Sequence, residues 1–212
     1  MKTILLVTLF QLVSLLVQGQ TLFDLYRKLP DKDALLGNVK SREQMIQNFK
    51  NGKGTGDLYV GFDVVDEKNG FLNITGAFEG IWEMCYWNMA NNIKLVAVYQ
   101  QECGPVCAIN VFKFYRYEND KLVEEQIHHV IPEYEDIYDA FFIDGDTSKK
   151  KLDDQDIIAT LLFRLPRKGK DIIAMFGNEE SKDTYSKFAK GDAMLLKWDN
   201  GKFKKDKIYW KE

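Results

Sequence analysis

From Asp57 to the C-terminus the chain repeats one pattern, a short apolar run followed by turn-forming Asn, Asp or Gly, and that repetition points to an antiparallel sheet. Leu58 to Val65 leads through Asp66-Glu67-Lys68-Asn69-Gly70 into Phe71 to Thr75. Ile81 to Asn88 turns at Asn91-Asn92 into Ile93 to Gln101, and Ala108 to Tyr117 turns at Asn119-Asp120 into Leu122 to Ile131. Ile157 to Leu165 and Asp171 to Phe176 flank Pro166 to Lys170, and Ala193 to Trp198 and Phe203 to Trp210 flank Asp199-Asn200-Gly201. Parallel strands need crossovers of roughly a dozen residues or more, and most of these connections are too short for that.

Upstream the period changes. Leu22, Phe23, Leu25, Tyr26 and Leu29 form a helical stripe that Pro30 ends, and Ser41 with Gln44 reads as a capping box ahead of Met45, Ile46 and Phe49. The fold class is therefore α+β: two short N-terminal helices on a mainly antiparallel β meander, as a sheet or a sandwich. A short helix is also expected over residues 133 to 142, and a polar loop over 144 to 156.

Residues 1 to 19 read as a secretory signal peptide. A basic Met1-Lys2 start precedes a fourteen-residue, mostly apolar run from Ile4 to Val17, and Val17-Gln18-Gly19 suits cleavage between Gly19 and Gln20. The run is shorter than the ~20 residues of a membrane-spanning helix, and no second long one follows, so no membrane span is expected once the signal is removed. The protein is then secreted or periplasmic, with residues 20–212 as a single globular domain, helical over 20–52 and mainly strands over 57–212. Its 45% hydrophobic content is that of a folded chain, and a net charge of −3 argues against nucleic acid as a partner, which requires a basic face.

Three cysteines stand at Cys85, Cys103 and Cys107. A two-residue turn at Asn91-Asn92 would pair Trp87 with Val96 and Cys85 with Val98. A three-residue turn at Gly104-Pro105-Val106 would then set Cys103 opposite Cys107, and Val98 opposite Phe112. That register places Cys85, Trp87, Val96, Val98, Phe112 and Phe114 on one apolar face. Cys103 and Cys107 are within reach of a disulfide, and Cys85 is left as a buried thiol. The same Cys-x-x-x-Cys pair offers soft ligands to Cu(I), with Met84 and Met89 nearby.

Thirteen acids against four lysines fall between Glu118 and Asp156, which makes this stretch either a solvated face or a contact surface. Asp144-Gly145-Asp146 opens like a calcium loop, with Asp153 and Asp154 as further oxygen ligands, although Lys149 occupies the place of the sharp-turn glycine. His128 and His129 are adjacent, so in a strand they point to opposite faces; one of them with Glu124, Glu133 or Asp136 would make a zinc site. No Gly-x-Ser-x-Gly or His-Glu-x-x-His occurs, which leaves carboxylate-pair hydrolysis of glycans, with Trp82, Trp87, Trp198 and Trp210 as stacking surfaces, as the enzymatic alternative. Asn73-Ile74-Thr75 is a glycosylation sequon. The leading expectation is a soluble exported non-enzymatic protein that binds a macromolecule or small ligand through the acidic region. Metal handling and glycan hydrolysis follow.

Overall fold

The computed structural model describes residues 21–55, 58–76, 79–104, 107–153, 160–176 and 185–211; the expected signal peptide and its cleavage point lie outside them. Helix α1 spans Leu22–Lys28, and its capping box is Thr21 with Asp24, each side chain answering the other's backbone N–H. Leu29 leaves the helical region and Pro30 follows, so α1 stops after two turns. Helix α2 spans Val39–Lys50 and is capped by Asn38, whose Oδ1 accepts the Ser41 N–H at 2.8 Å. The box expected at Ser41 and Gln44 therefore lies inside the helix. Asn caps as well as Ser does, and it stands nearly one turn earlier.

Ten strands follow among the described residues. Strands β1 (Val60–Asp66), β2 (Phe71–Gly76), β3 (Gly80–Asn88), β4 (Lys94–Cys103), β5 (Cys107–Glu118) and β6 (Lys121–Glu125) form a six-stranded antiparallel meander in chain order. After α3 (Tyr134–Ala140) and α4 (Asp146–Asp153), strands β7 (Leu161–Arg164), β8 (Ile172–Phe176), β9 (Ala193–Asp199) and β10 (Lys202–Tyr209) form a second antiparallel sheet. None of the described helices is long and apolar enough to cross a membrane.

The six-stranded sheet is buried on both faces. On one, Leu25, Tyr26 and Ile46 from the helices pack on Leu72, Trp82 and Val96. On the other, Trp87, Ala97 and Phe114 share a core with Phe163, Ile172 and Leu196 of the second sheet and with Ile137 and Phe141 around α3. Trp87 belongs to this core and stacks on the partly buried Trp198 at 5.4 Å between ring centroids.

That two-sided burial explains where the expected register fails. The β3–β4 connection is a longer loop with Asn91 and Asn92 at φ 58° and 59°, so Trp87 pairs with Leu95 and Cys85 with Ala97, one residue from expectation. Because side chains alternate, Leu95, Ala97 and Tyr99 join Cys85 and Trp87, while Val96 and Val98 face the helices. A strand apolar on both faces carries no alternation to fix its register. An irregularity between Gln100 and Gln101 then sets Lys113, not Phe112, opposite Val98 and brings Cys103 opposite Cys107.

Three further expectations change. The strand expected to reach Ile131 ends at Glu125 and becomes a 3-10 turn, Ile127–His129. The polar loop expected at 144 to 156 is helical over Asp146–Asp153, with Asp146 in its first turn and Lys150 and Lys151 in its last, the charge order a helix dipole favours. The sequon residue Asn73 is buried in β2 and its Nδ2 donates to the Trp82 carbonyl at 3.3 Å, so it is not presented for modification.

Candidate functional site

Residues 126–134 lead from β6 of the first sheet to α3 and bond to β10 of the second. The turn Ile127–His129 is closed by His129 N–H to Gln126 O and Ile131 N–H to Ile127 O, both 2.9 Å, and Phe203 N–H of β10 donates to Val130 O at 2.7 Å. Pro132 precludes continuation of the turn, and α3 begins two residues later. The segment is thus held by its own turn and by β10. Its side chains divide: Ile127, His128 and Ile131 line one cavity, His129 and Val130 another.

The first cavity encloses about 160 Å³. Ile109, Phe112, Ile131 and Phe163 make its apolar wall, and His128, Glu133 and Tyr134 supply its polar groups. Phe112 and Phe163 lie 4.6 Å apart across the two sheets, with Tyr99 edge-on to Phe112 at 5.4 Å. Ile127 and Tyr134 are 39% and 42% exposed, so the opening has an apolar rim. Tyr134 is fixed there because its hydroxyl accepts the Leu161 N–H at 3.2 Å.

A polar layer behind the wall sets where Phe163 stands. The Tyr99 hydroxyl accepts Phe163 N–H at 3.1 Å and donates to Gln101 Oε1 at 2.9 Å, which also accepts from Arg164 Nη1 at 2.9 Å. Burial pushes the Tyr99 phenol up to about 12, so it stays a donor. Glu83 Oε2 accepts Leu165 N–H at 3.0 Å. These groups tie β7 to β3 and β4. Their bonds are internal, and Glu133 is the one carboxylate on the described cavity lining, so the arrangement lacks a facing carboxylate pair.

The other residues singled out from sequence lie elsewhere. Cys103 and Cys107 form a disulfide across their own turn, and Gln101 Nε2 reaches Cys103 Sγ at 3.6 Å. Cys85 is buried and free. Replacing both bonded cysteines by serine is expected to cost at most about 2 kcal/mol, the chain-entropy value for so short a loop, measured by denaturant melts of oxidised protein and double variant. A larger loss would mean that the bond also holds the Gln101 layer in place.

The Asp144 N–H donates to Ser148 Oγ at 3.2 Å, and Asp146 is fully exposed with Lys149 Nζ 4.0 Å away. Asp153 closes α4, its side chain and Asp154 being outside the described residues. Asp144 and Asp146 thus stand at the start of α4 and not in the open loop that the calcium reading expects. Among the described residues no group of three or more His, Cys, Asp or Glu side chains is placed to hold a metal. The rings of His128 and His129 meet edge-on at 4.3 Å between centroids, although a strand would have sent them apart.

No family model and no curated protein matches the sequence. Among solved structures the fold is similar to a domain of an uncharacterized protein from Porphyromonas gingivalis W83, with a TM-score of 0.63 and 13% identity over 87% of this chain and 97% of that one. At that identity the likeness concerns the fold alone.

Proposed function

We propose that this is an exported, non-enzymatic binding protein that takes a ring-sized apolar group, presented by a small ligand or a macromolecule, into the cavity beside His128 and Tyr134. The observation that carries the reading is an apolar space of about 160 Å³ opening between exposed Ile127 and Tyr134. A single aromatic ring fills such a volume, and dry apolar cavities of that order take up benzene-sized ligands. His128, Glu133 and the Tyr134 hydroxyl give orientation to whatever enters. The disulfide supports export, because such bonds persist in oxidising compartments.

The test is a thermal melt with phenol, benzyl alcohol and indole. A probe at a hundred times its dissociation constant adds about 2.7 kcal/mol, which at ~2 to 4 °C per kcal/mol raises Tm by several degrees. Ile109→Trp, which fills the space, is expected to abolish the shift. If no probe moves the parent protein, or if the filled variant responds equally, the reading fails.

A further inference from the structure

We infer that the cavity on the opposite face of the same wall receives the negatively charged group of the ligand whose ring enters the first, so that the ligand is a monocarboxylate carrying an apolar ring. This rests on the reading of the first cavity as a ring pocket. The second cavity encloses about 320 Å³ and brings together Arg116, Lys202 and His129 with one acid, Glu125, over Met89 and Leu95. That excess of positive charge stands inside a chain of net charge −3, next to its most acidic stretch.

The donors there have capacity to spare. Lys202 pairs with Asp199 through the β9–β10 backbone ladder, and its ammonium makes no ion pair or hydrogen bond among the described residues. Arg116 Nε pairs with Glu125 Oε1 at 2.7 Å, and the Arg116 side chain is 40% exposed. A guanidinium has five N–H donors, so one carboxylate does not use them all. An incoming oxygen anion takes up the Nη donors that Glu125 leaves. With Glu125 offsetting one cation, one positive charge remains before His129 is counted, which matches a monoanion; a dianion would bring uncompensated charge.

The two cavities are close. Ile127, His128 and Ile131 face one and His129 and Val130 the other, so the wall between them is one short segment. Its two imidazoles are in contact, 4.3 Å between centroids. A tether of a few atoms over that ring pair joins a ring on one side to a carboxylate on the other.

Calorimetric titration of the whole protein with phenylacetate, 3-phenylpropanoate and 4-phenylbutanoate, each against its matching alcohol and against acetate, tests this. The best acid is expected to bind at least tenfold tighter than its alcohol, with the advantage shrinking as salt rises. In Lys202→Met the acid-to-alcohol ratio is expected to fall towards one. A peptide ending in phenylalanine, as free acid and as amide, separates a peptide terminus from a free aromatic acid as the source of the same chemistry. Alcohols that bind as tightly as the acids at every tether length would overturn the inference and leave the ring pocket standing. Acetate binding as tightly as the phenyl acids would overturn the link between the cavities. Binding by neither acids nor alcohols would overturn the ring pocket itself, and this inference with it.

Discussion

Asp33→Ala is expected to lower the unfolding free energy by about 3 kcal/mol, the lower end of what removing one partner of a buried ion pair costs. Pro30 ends α1 and the chain turns back, with Asp33 N–H and Ala34 N–H both bonded to the Pro30 carbonyl, which drives the Asp33 side chain into the sheet. There the carboxylate accepts the Tyr115 hydroxyl and, at 3.1 Å, Lys113 Nζ, while the Asp33 carbonyl accepts Trp82 Nε1 at 3.3 Å. Burial opposes the charge on Lys113, but its bonds to Asp33 and Glu124 prevail and raise its pKa. Burial, then the bond to Asp33, raises the Tyr115 phenol as well.

Alanine at position 33 leaves that hydroxyl without an acceptor. Lys113 is 27% exposed and still has Glu124 at 3.2 Å, which is why the lower end of the range applies. Asp33→Asn retains an acceptor for Tyr115 and is expected to lose about half as much. Urea melts decide the matter, and a cycle with Tyr115→Phe should show coupling of ~1 kcal/mol or more. An Asp33→Ala protein within about 0.5 kcal/mol of the parent would mean that the helices stay docked without this bond, as substitutions at undemanding surface positions do.

What could be read from the sequence was local. Asn200-Gly201 and the short connections give antiparallel neighbours, and β1 to β6 pair in chain order as hairpins must. Leu22, Leu25 and Tyr26 carry their helical stripe in the spacing, and Cys103 faces Cys107 because four residues of separation leave few alternatives. The register of β4 was out of reach, since both faces of that strand are buried. The cavity was out of reach for another reason. Phe112 and Phe163 are 51 positions apart and on different sheets, and the bond from Phe163 to Tyr99 spans 64. Nothing local marks such a pair. His128 and Glu133 lie on one cavity lining, but Ile127–His129 is a turn and not the strand that the zinc reading assumes.

Glu83 should make stability depend on pH in the direction opposite to ordinary acid unfolding. Its carboxyl lies between the sheets, where burial raises its pKa above the ordinary carboxylate value; the Leu165 N–H and the nearby Arg164 charge only partly oppose this. The folded state therefore holds the proton to higher pH than the unfolded state does. Below the unfolded value both states are protonated and the full contribution is present. As pH rises towards the raised value the unfolded chain ionises first, and stability falls by up to about 1.4 kcal/mol per pH unit until the folded protein ionises too.

Glu83→Gln keeps an oxygen for the Leu165 N–H and carries no charge. It is expected to be more stable than the parent at pH 7, to equal it near pH 4, and to lack the decline between. Denaturant melts of both proteins from pH 4 to pH 8 measure the difference, which should open steadily with pH and then stay constant. A difference that closes as pH rises would mean that ionised Glu83 is stabilised by Arg164 and not strained by burial. The junction behind the cavity would then be held by the charges of Glu83 and Arg164, not by neutral hydrogen bonds such as that of the Tyr99 hydroxyl with Phe163 N–H.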